Sequence, residues 1–352
     1  MSHARPPAAA ASYSTVSGHP GKEDHVAKSA VEQESGTGET FTLTVDDIRT
    51  ECRDTVVLEL IDTGGHPLPG WEAGAHIDLH LPNGIIRQYS LCGDTNDLSR
   101  YEIAVLRDPD SRGGSEYIHA ELRKGSTLRV GFPRNNFPLR DAPGYLFLAG
   151  GIGVTPLLPM IAAARRSGVP FTVRYAGSSR ARMTFTDQLA AMPEAELHIS
   201  DEGTRLDLAG VLTPDLGRGV LVYACGPARL LDAVSARCDE LGVADQLRVE
   251  RFSAALPALD RAVEREFDVE LARSGRVVRV AADTSILDAV LACGVKAPNS
   301  CAEGVCGSCE TAVLSGEVDH RDQILDDDEK ADNTVMMICC SRARSDRLVL
   351  DL

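Results

Sequence analysis

Cys301-Ala302-Glu303-Gly304-Val305-Cys306-Gly307-Ser308-Cys309 holds three thiols at the spacing C-x4-C-x2-C, the arrangement of plant-type [2Fe–2S] ferredoxins. A two-iron cluster takes four thiolates. A tight loop of small residues lets three of them converge while backbone N–H groups turn toward the sulfides, and Ala302, Gly304, Gly307 and Ser308 permit that approach. A fourth thiol is available at Cys339 or Cys340. Zinc sites arrange their ligands as two C-x2-C-like couples, so a triplet with a distant adjacent pair fits them poorly. Cys52, Cys92, Cys238 and Cys293 have no such partners and read as small apolar residues.

Working outward, residues 264–352 form one unit, an α+β ferredoxin-type domain, preceded by a linker at 253–263 that contains Pro257. The apolar run Val335-Met336-Met337-Ile338 reads as a buried strand arriving at the fourth ligand. Adjacent residues of a strand face opposite sides, which leaves room for one of Cys339 and Cys340 at the iron.

Residues 143–255 change rhythm to alternating strand and helix. Strand-like runs at 145–149, 171–176, 196–200, 220–224 and 246–252 are separated by helical patterns such as 157–166 and 228–241, which predicts a parallel α/β sheet. Gly150-Gly151-Ile152-Gly153-Val154-Thr155-Pro156 follows the first strand. Its glycines let backbone approach a pyrophosphate, the helix start offers free N–H groups, and Thr155 and Pro156 suit the cap and first helical positions. Pro156 stands where a Rossmann fingerprint has its third glycine, and the second strand ends at Ser178-Ser179-Arg180 without an acid. Cys225-Gly226-Pro227, at the end of another parallel strand, falls on the same ligand-binding edge.

Residues 39–142 show short alternating runs at 56–61, 75–81, 85–91 and 101–106, which predicts an antiparallel sheet or barrel. Ala75, Ile77, Leu79 and Leu81 share one face, while His76, Asp78 and His80 share the other. Trp71 and the histidines read as packing and surface residues. Arg87-Gln88-Tyr89-Ser90 lies here, and Arg112-Gly113-Gly114-Ser115 opens a helix. Arginine suits a phosphate, tyrosine suits a flat ring, and a hydroxyl suits a flavin nitrogen.

The 352 residues allow two or three domains, and no stretch approaches 18 consecutive apolar residues. Residues 1–38, rich in Ala, Ser, Gly, Pro and Glu, read as a disordered tail without a secretory signal. Ten cysteines without an export signal suit a cytoplasmic protein. A net charge of −16 disfavours nucleic acid and anionic membranes as partners.

From about residue 41 to the C-terminus the chain resembles the phthalate dioxygenase reductase family, whose members include reductases of vanillate demethylase-type Rieske oxygenases. The resemblance rests on module order, on Arg87-Gln88-Tyr89-Ser90, on Pro133-Arg134-Asn135-Asn136-Phe137-Pro138-Leu139, on the glycine turn with Cys225-Gly226-Pro227, and on the C-terminal segment from Ser341-Arg342-Ala343. It implies a monomeric NADH-dependent reductase that passes electrons from NADH through FMN and the [2Fe–2S] cluster to a terminal oxygenase, with a Rieske-type partner expected. It implies Gly113, Gly114 and Ser115 at the FMN phosphate beside Arg87, and Tyr89 and Ser90 at the flavin. Gly151, Gly153, Thr155, Pro156, Gly226 and Pro227 are implied at NADH, and Cys225 near the nicotinamide. Ser90 and Cys225 are the residues expected at the reacting atoms. It implies Cys301, Cys306, Cys309 and Cys339 as ligands, since 29 residues between Cys309 and Cys339 is the family's separation. The competing readings are a reductase for a cytochrome P450 or another acceptor, and a non-catalytic iron–sulfur carrier.

Overall fold

The computed structural model describes residues 40–109, 113–214, 216–217, 219–252 and 264–352. The expected tail, the linker with Pro257, and Arg112 lie outside the described residues.

Six antiparallel strands, β1 (Thr40–Cys52), β2 (Thr55–Ile61), β3 (His76–His80), β4 (Ile86–Ser90), β5 (Tyr101–Leu106) and β6 (Thr127–Gly131), run in the order β4-β3-β6-β1-β2-β5. A bridge between Leu91 and Ile103 joins the two edges and closes the barrel. Leu43, Leu58, Ile77, Leu79, Ile103 and Val130 fill it. The first strand escapes a period-2 reading because its register shifts at Val45/Asp47 and again at Thr50/Cys52, so its faces exchange along its length. Strand β3 departs from expectation on its polar side. His76 and Asp78 are each only 7% exposed, covered by the segment around Arg134. The barrel carries one helix, α1 (Gly114–Glu121), entered through Gly113 at φ 93°.

Five parallel strands follow, β7 (Tyr145–Gly150), β8 (Phe171–Gly177), β9 (Ala195–Ile199), β10 (Leu221–Cys225) and β11 (Leu247–Glu250), in the order β11-β10-β7-β8-β9. Helices α2 (Leu157–Ser167), α3 (Thr186–Ala190), α4 (Leu208–Val211) and α5 (Ala228–Leu241) connect them. The sheet grows from β7 toward β8 on one side and is later extended by β10 on the other. The switch point therefore lies between β7 and β10, where open α/β sheets bind ligands. All six residues of β7 are buried, as a strand covered on both faces requires.

The C-terminal unit packs β12 (Phe267–Leu271), β13 (Arg276–Val280), β14 (Glu310–Ser315), β16 (Val335–Met337) and β18 (Arg347–Leu350) in the order β13-β12-β18-β14-β16. A two-stranded ribbon pairs β15 (Val318–Asp319) with β17 (Arg342–Ala343), and helices α6 (Ile286–Ala292) and α7 (Asp327–Asp332) complete the α+β unit. Asp326 and Glu329 make a reciprocal capping box at the start of α7, so part of the acidic run 326–329 has a local structural role. The expected strand into the fourth ligand stops short. It ends at Met337, and Ile338, Cys339 and Cys340 form a turn, so opposite strand faces do not separate the two thiols.

Candidate active site and electron-transfer centre

Between Cys301 and Cys309, in the loop that leads from α6 to β14, Ala302 (φ 56°), Gly304 (φ 74°) and Gly307 (φ 74°) adopt left-handed backbone, and this coils it tightly. The coiling aims amides at sulfur: Glu303 N–H donates to Cys301 Sγ (3.2 Å) and Ser308 N–H to Cys306 Sγ (3.4 Å). Cys301, Cys306, Cys309 and Cys339 are all under 10% exposed. The thiol of Cys301 meets those of Cys306 and Cys339, and Cys339 also meets Cys309. The contact with Cys301, reinforced by burial, pushes the Cys306 thiol well up, a cost that ligation of the thiolates would remove. Among the described residues no three His, Cys, Asp or Glu side chains converge as for a single ion. Neighbouring pairs of thiols instead suit a two-iron group. Cys340 also meets the Cys339 thiol, with its Sγ directed to Met337 O (3.7 Å) and packed against Gly304.

At the barrel, Arg87 lies across the start of α1. A Cβ on Gly114 would stand 2.7 Å from Arg87 Cγ, so the glycine makes room for the side chain. The guanidinium and the helix's first N–H groups share this corner, a combination suited to a phosphate. Ser115 Oγ accepts from Asp108 N–H (3.2 Å). Burial raises the Tyr89 phenol well above its usual range, so the ring stays neutral. Ser90, 7% exposed, is the register partner of His76 on the neighbouring strand β3.

At the α/β edge, the glycine turn and the 225–227 loop pack on one another. A Cβ on Gly153 would collide with the Cys225 carbonyl, and one on Gly226 would stand 2.9 Å from Gly150 Cα. These glycines are thus required by the approach of two loops, whereas Gly151 (φ 54°) faces open space. The expected cap geometry needs correction. Residues Gly151–Val154 form a 3-10 turn that runs directly into α2, Thr155 is itself helical, and its Oγ1 bonds Ile152 O (3.0 Å). Pro156 takes the cap position instead. Cys225 is wholly enclosed, its thiol raised by burial and then by Glu250, so what it offers a ligand is backbone.

These corners open on one cavity of about 990 Å³. Arg87, Tyr89, Ser90 and Ser115 line it from the barrel, Ile152 and Thr155 from the glycine turn, and Cys301 and Cys306 from the cluster loop. The volume and the mixed lining suit a flat ring system held between the other two centres. Sequence reasoning missed four lining or flanking residues. His76 is held neutral, lowered to about 4 by burial and the Arg134 cation, and its enclosed Nε2 lacks a partner. Glu250 is pushed up to about 8 by burial, with Oε2 equally unpartnered. Phe252 remains 42% exposed at the cavity. Arg134 joins the barrel to the cluster loop. His76, Glu250 and Arg134 owe their places to pairings across long sequence separations, and for these the only local signal was the 133–139 motif around Arg134.

The family model of the 2Fe-2S iron-sulfur cluster binding domain matches residues 269–344. The phenoxybenzoate dioxygenase subunit beta of Ectopseudomonas oleovorans is 44% identical over 302 residues, 85% of this chain and 93% of that protein. Among solved structures, a phthalate dioxygenase reductase described as modular for electron transfer from pyridine nucleotides to [2Fe–2S] superposes with TM-score 0.67 at 37% identity, covering 89% of this chain and 98% of that one. An intact type IV self-sufficient cytochrome P450 monooxygenase matches at TM-score 0.82 and 45% identity, over 89% of this chain; the chain spans only 41% of that longer protein.

Proposed function

Because the chain belongs to the phthalate dioxygenase reductase family, we propose that its three-sided cavity is the conduit of an NADH-dependent oxygenase reductase whose partner is a Rieske-type oxygenase. The enzyme is an oxidoreductase with FMN and a [2Fe–2S] cluster, using NADH as electron donor. One observation carries the reading: Arg87, Thr155 and Cys306, one from each module, line the same cavity.

The residues present fit the groups. Arg87, Gly113, Gly114 and Ser115 would hold the FMN phosphate, with Tyr89 and Ser90 along the ring. Gly151, Thr155 and Pro156, with the backbone of Cys225, Gly226 and Pro227, would hold NADH at the switch point. Gly153 serves by letting the two loops meet. Cys301, Cys306, Cys309 and Cys339 would supply the four thiolates that hold the cluster. A nicotinamide yields a hydride while a cluster takes single electrons, and flavin, when bound, converts between the two. The chain's own contribution is orientation and exclusion of water. Enclosed Ser90 presents a hydroxyl, and Glu250 keeps a neutral carboxyl beside the glycine-turn residues of the cavity.

No helix among the described residues is long and apolar enough to cross a membrane; a cytoplasmic, monomeric reductase is part of the proposal. The test is reconstitution with NADH, supplying a Rieske oxygenase or a cytochrome P450 as acceptor. Turnover with the Rieske oxygenase supports the reading. Turnover with the P450 alone would overturn the partner, and purified protein without flavin would overturn the conduit.

A further inference from the structure

Arg134 reaches two modules at once. Its guanidinium makes a two-pronged pair with Asp78, NH1 to Oδ2 at 2.9 Å and NH2 to Oδ1 at 3.0 Å, inside the barrel's polar face. The same NH2 donates to Ser308 Oγ (3.1 Å), one residue before the ligand candidate Cys309. Asp78 in turn accepts from Ser300 Oγ (3.3 Å), one residue before Cys301. The ion pair therefore grips both ends of the cluster loop. Asn136 Nδ2 adds a bond to Cys306 O (3.0 Å) in the middle.

The direction of the Ser308 proton follows from these contacts. Its oxygen receives Arg134 NH2 and, at 3.5 Å, Gln88 Nε2. The remaining polar neighbour is Cys306 Sγ at 3.4 Å. A ligating sulfur is a thiolate and accepts only, so the hydroxyl proton must point at it. Hydrogen bonds to cluster sulfurs stabilise the reduced, more negative state.

We propose that Arg134 is a positioning residue for electron transfer: through Ser308 it orients a hydrogen bond onto Cys306, raises the cluster's reduction potential, and pins the cluster loop to the flavin side of the cavity. Asp78 fixes the fork that makes this possible. Lysine cannot reproduce it, because an ammonium does not span a carboxylate and a hydroxyl in one plane. The inference rests on Cys306 being a cluster ligand.

The experiment uses the loaded full chain and its Ser308→Ala, Arg134→Met and double variants. The midpoint potential of the cluster is read by EPR-monitored titration, and stopped-flow separates flavin bleaching by NADH from cluster reduction. Both single variants should shift the cluster to more negative potential, and the double should be no lower than the lower single. Flavin bleaching should stay within twofold, while cluster reduction slows at least tenfold in Arg134→Met. An unchanged potential in Ser308→Ala, or additive shifts in the double, would overturn the relay. Should Arg134→Met lose its cluster, Arg134→Lys replaces it, with an intermediate shift expected and a wild-type potential overturning the proposal. Cys306→Ser tests the underlying ligand reading separately: an unaltered cluster signal there sinks that assignment, whatever the Arg134 variants do.

Discussion

Glu250 and Cys225 are register partners at the ends of adjacent parallel strands, so a half-buried carboxyl and a fully buried thiol lie side by side at the rim of the proposed nucleotide cleft. Burial lifts Glu250 to about 8 and, together with that carboxyl, lifts Cys225 further above its ordinary value. Below about pH 8 the carboxyl keeps its proton, which spares the fold a partly buried anion.

A pH signature follows. The folded pKa of Glu250 is raised above its ordinary 4.5, so the native state holds the proton more tightly and stability falls as pH climbs from about 5 to about 8. The slope is at most about 1.4 kcal/mol per pH unit. Glu250→Gln should lack this component, and thermal unfolding of both proteins at pH 5, 6, 7, 8 and 9 should show the variant gaining relative to wild type up to pH 8 and levelling off above. Parallel curves would show that the carboxyl ionises normally.

An ion pair past the second strand bears on the expected nucleotide choice. Arg180, just past β8, is held by Glu202 from the turn after β9, with Nε–Oε1 and NH2–Oε2 both at 2.9 Å. A 2′-phosphate approaching this end of the sheet meets an arginine already neutralised by a carboxylate. Glu202→Gln should free the guanidinium and lower the NADH-to-NADPH ratio of kcat/KM by about tenfold, the worth of one charge-assisted contact. An unchanged ratio would place the adenosine elsewhere.

Arg87 and Gly114 should fail together. Arg87→Ala removes the cation of the expected phosphate corner, and Gly114→Ala sets a methyl 2.7 Å from Arg87 Cγ and displaces the side chain. Both variants should purify depleted in FMN while keeping the iron–sulfur absorption, with Arg87→Ala the more severe. Full flavin content in Arg87→Ala removes the residue from the site.

Local features of the sequence were legible and long-range pairings were not. Helix α5 reads at both ends because Pro227 precedes it and Gly242, at φ 68°, stops it. The β7 strand reads because its burial is continuous. Strand β1 was hidden by two bulges, and Thr155 was misread as a cap because a 3-10 turn imitates a loop in sequence. Of the candidate site, the thiol triplet and the Arg87 motif stood out by spacing and type. Glu250, Glu202 and the Asp78–Arg134 pair owe their importance to partners at distances in sequence that no local pattern encodes.

Spacing and surroundings bear separately on which of Cys339 and Cys340 is the fourth ligand. Both lie in the turn after β16, so neither is excluded by strand geometry. The two thiols touch each other, but their other neighbours differ: Cys339 meets Cys301 and Cys309, whereas Cys340 Sγ faces Met337 O and lies against Gly304, whose left-handed backbone and lack of a side chain leave room for it. Cys339→Ser should abolish the EPR signal of the reduced cluster and electron delivery to an oxygenase, while flavin content and NADH reduction of a small two-electron acceptor persist. Cys340→Ser preserves the size of the side chain beside Gly304 and should keep all four properties. The reverse pattern would exchange the two assignments. If both serine variants lose the cluster, Cys340→Ala decides: the smaller side chain cannot press on Gly304, so loss there as well would make Cys340 a ligand rather than a packing neighbour.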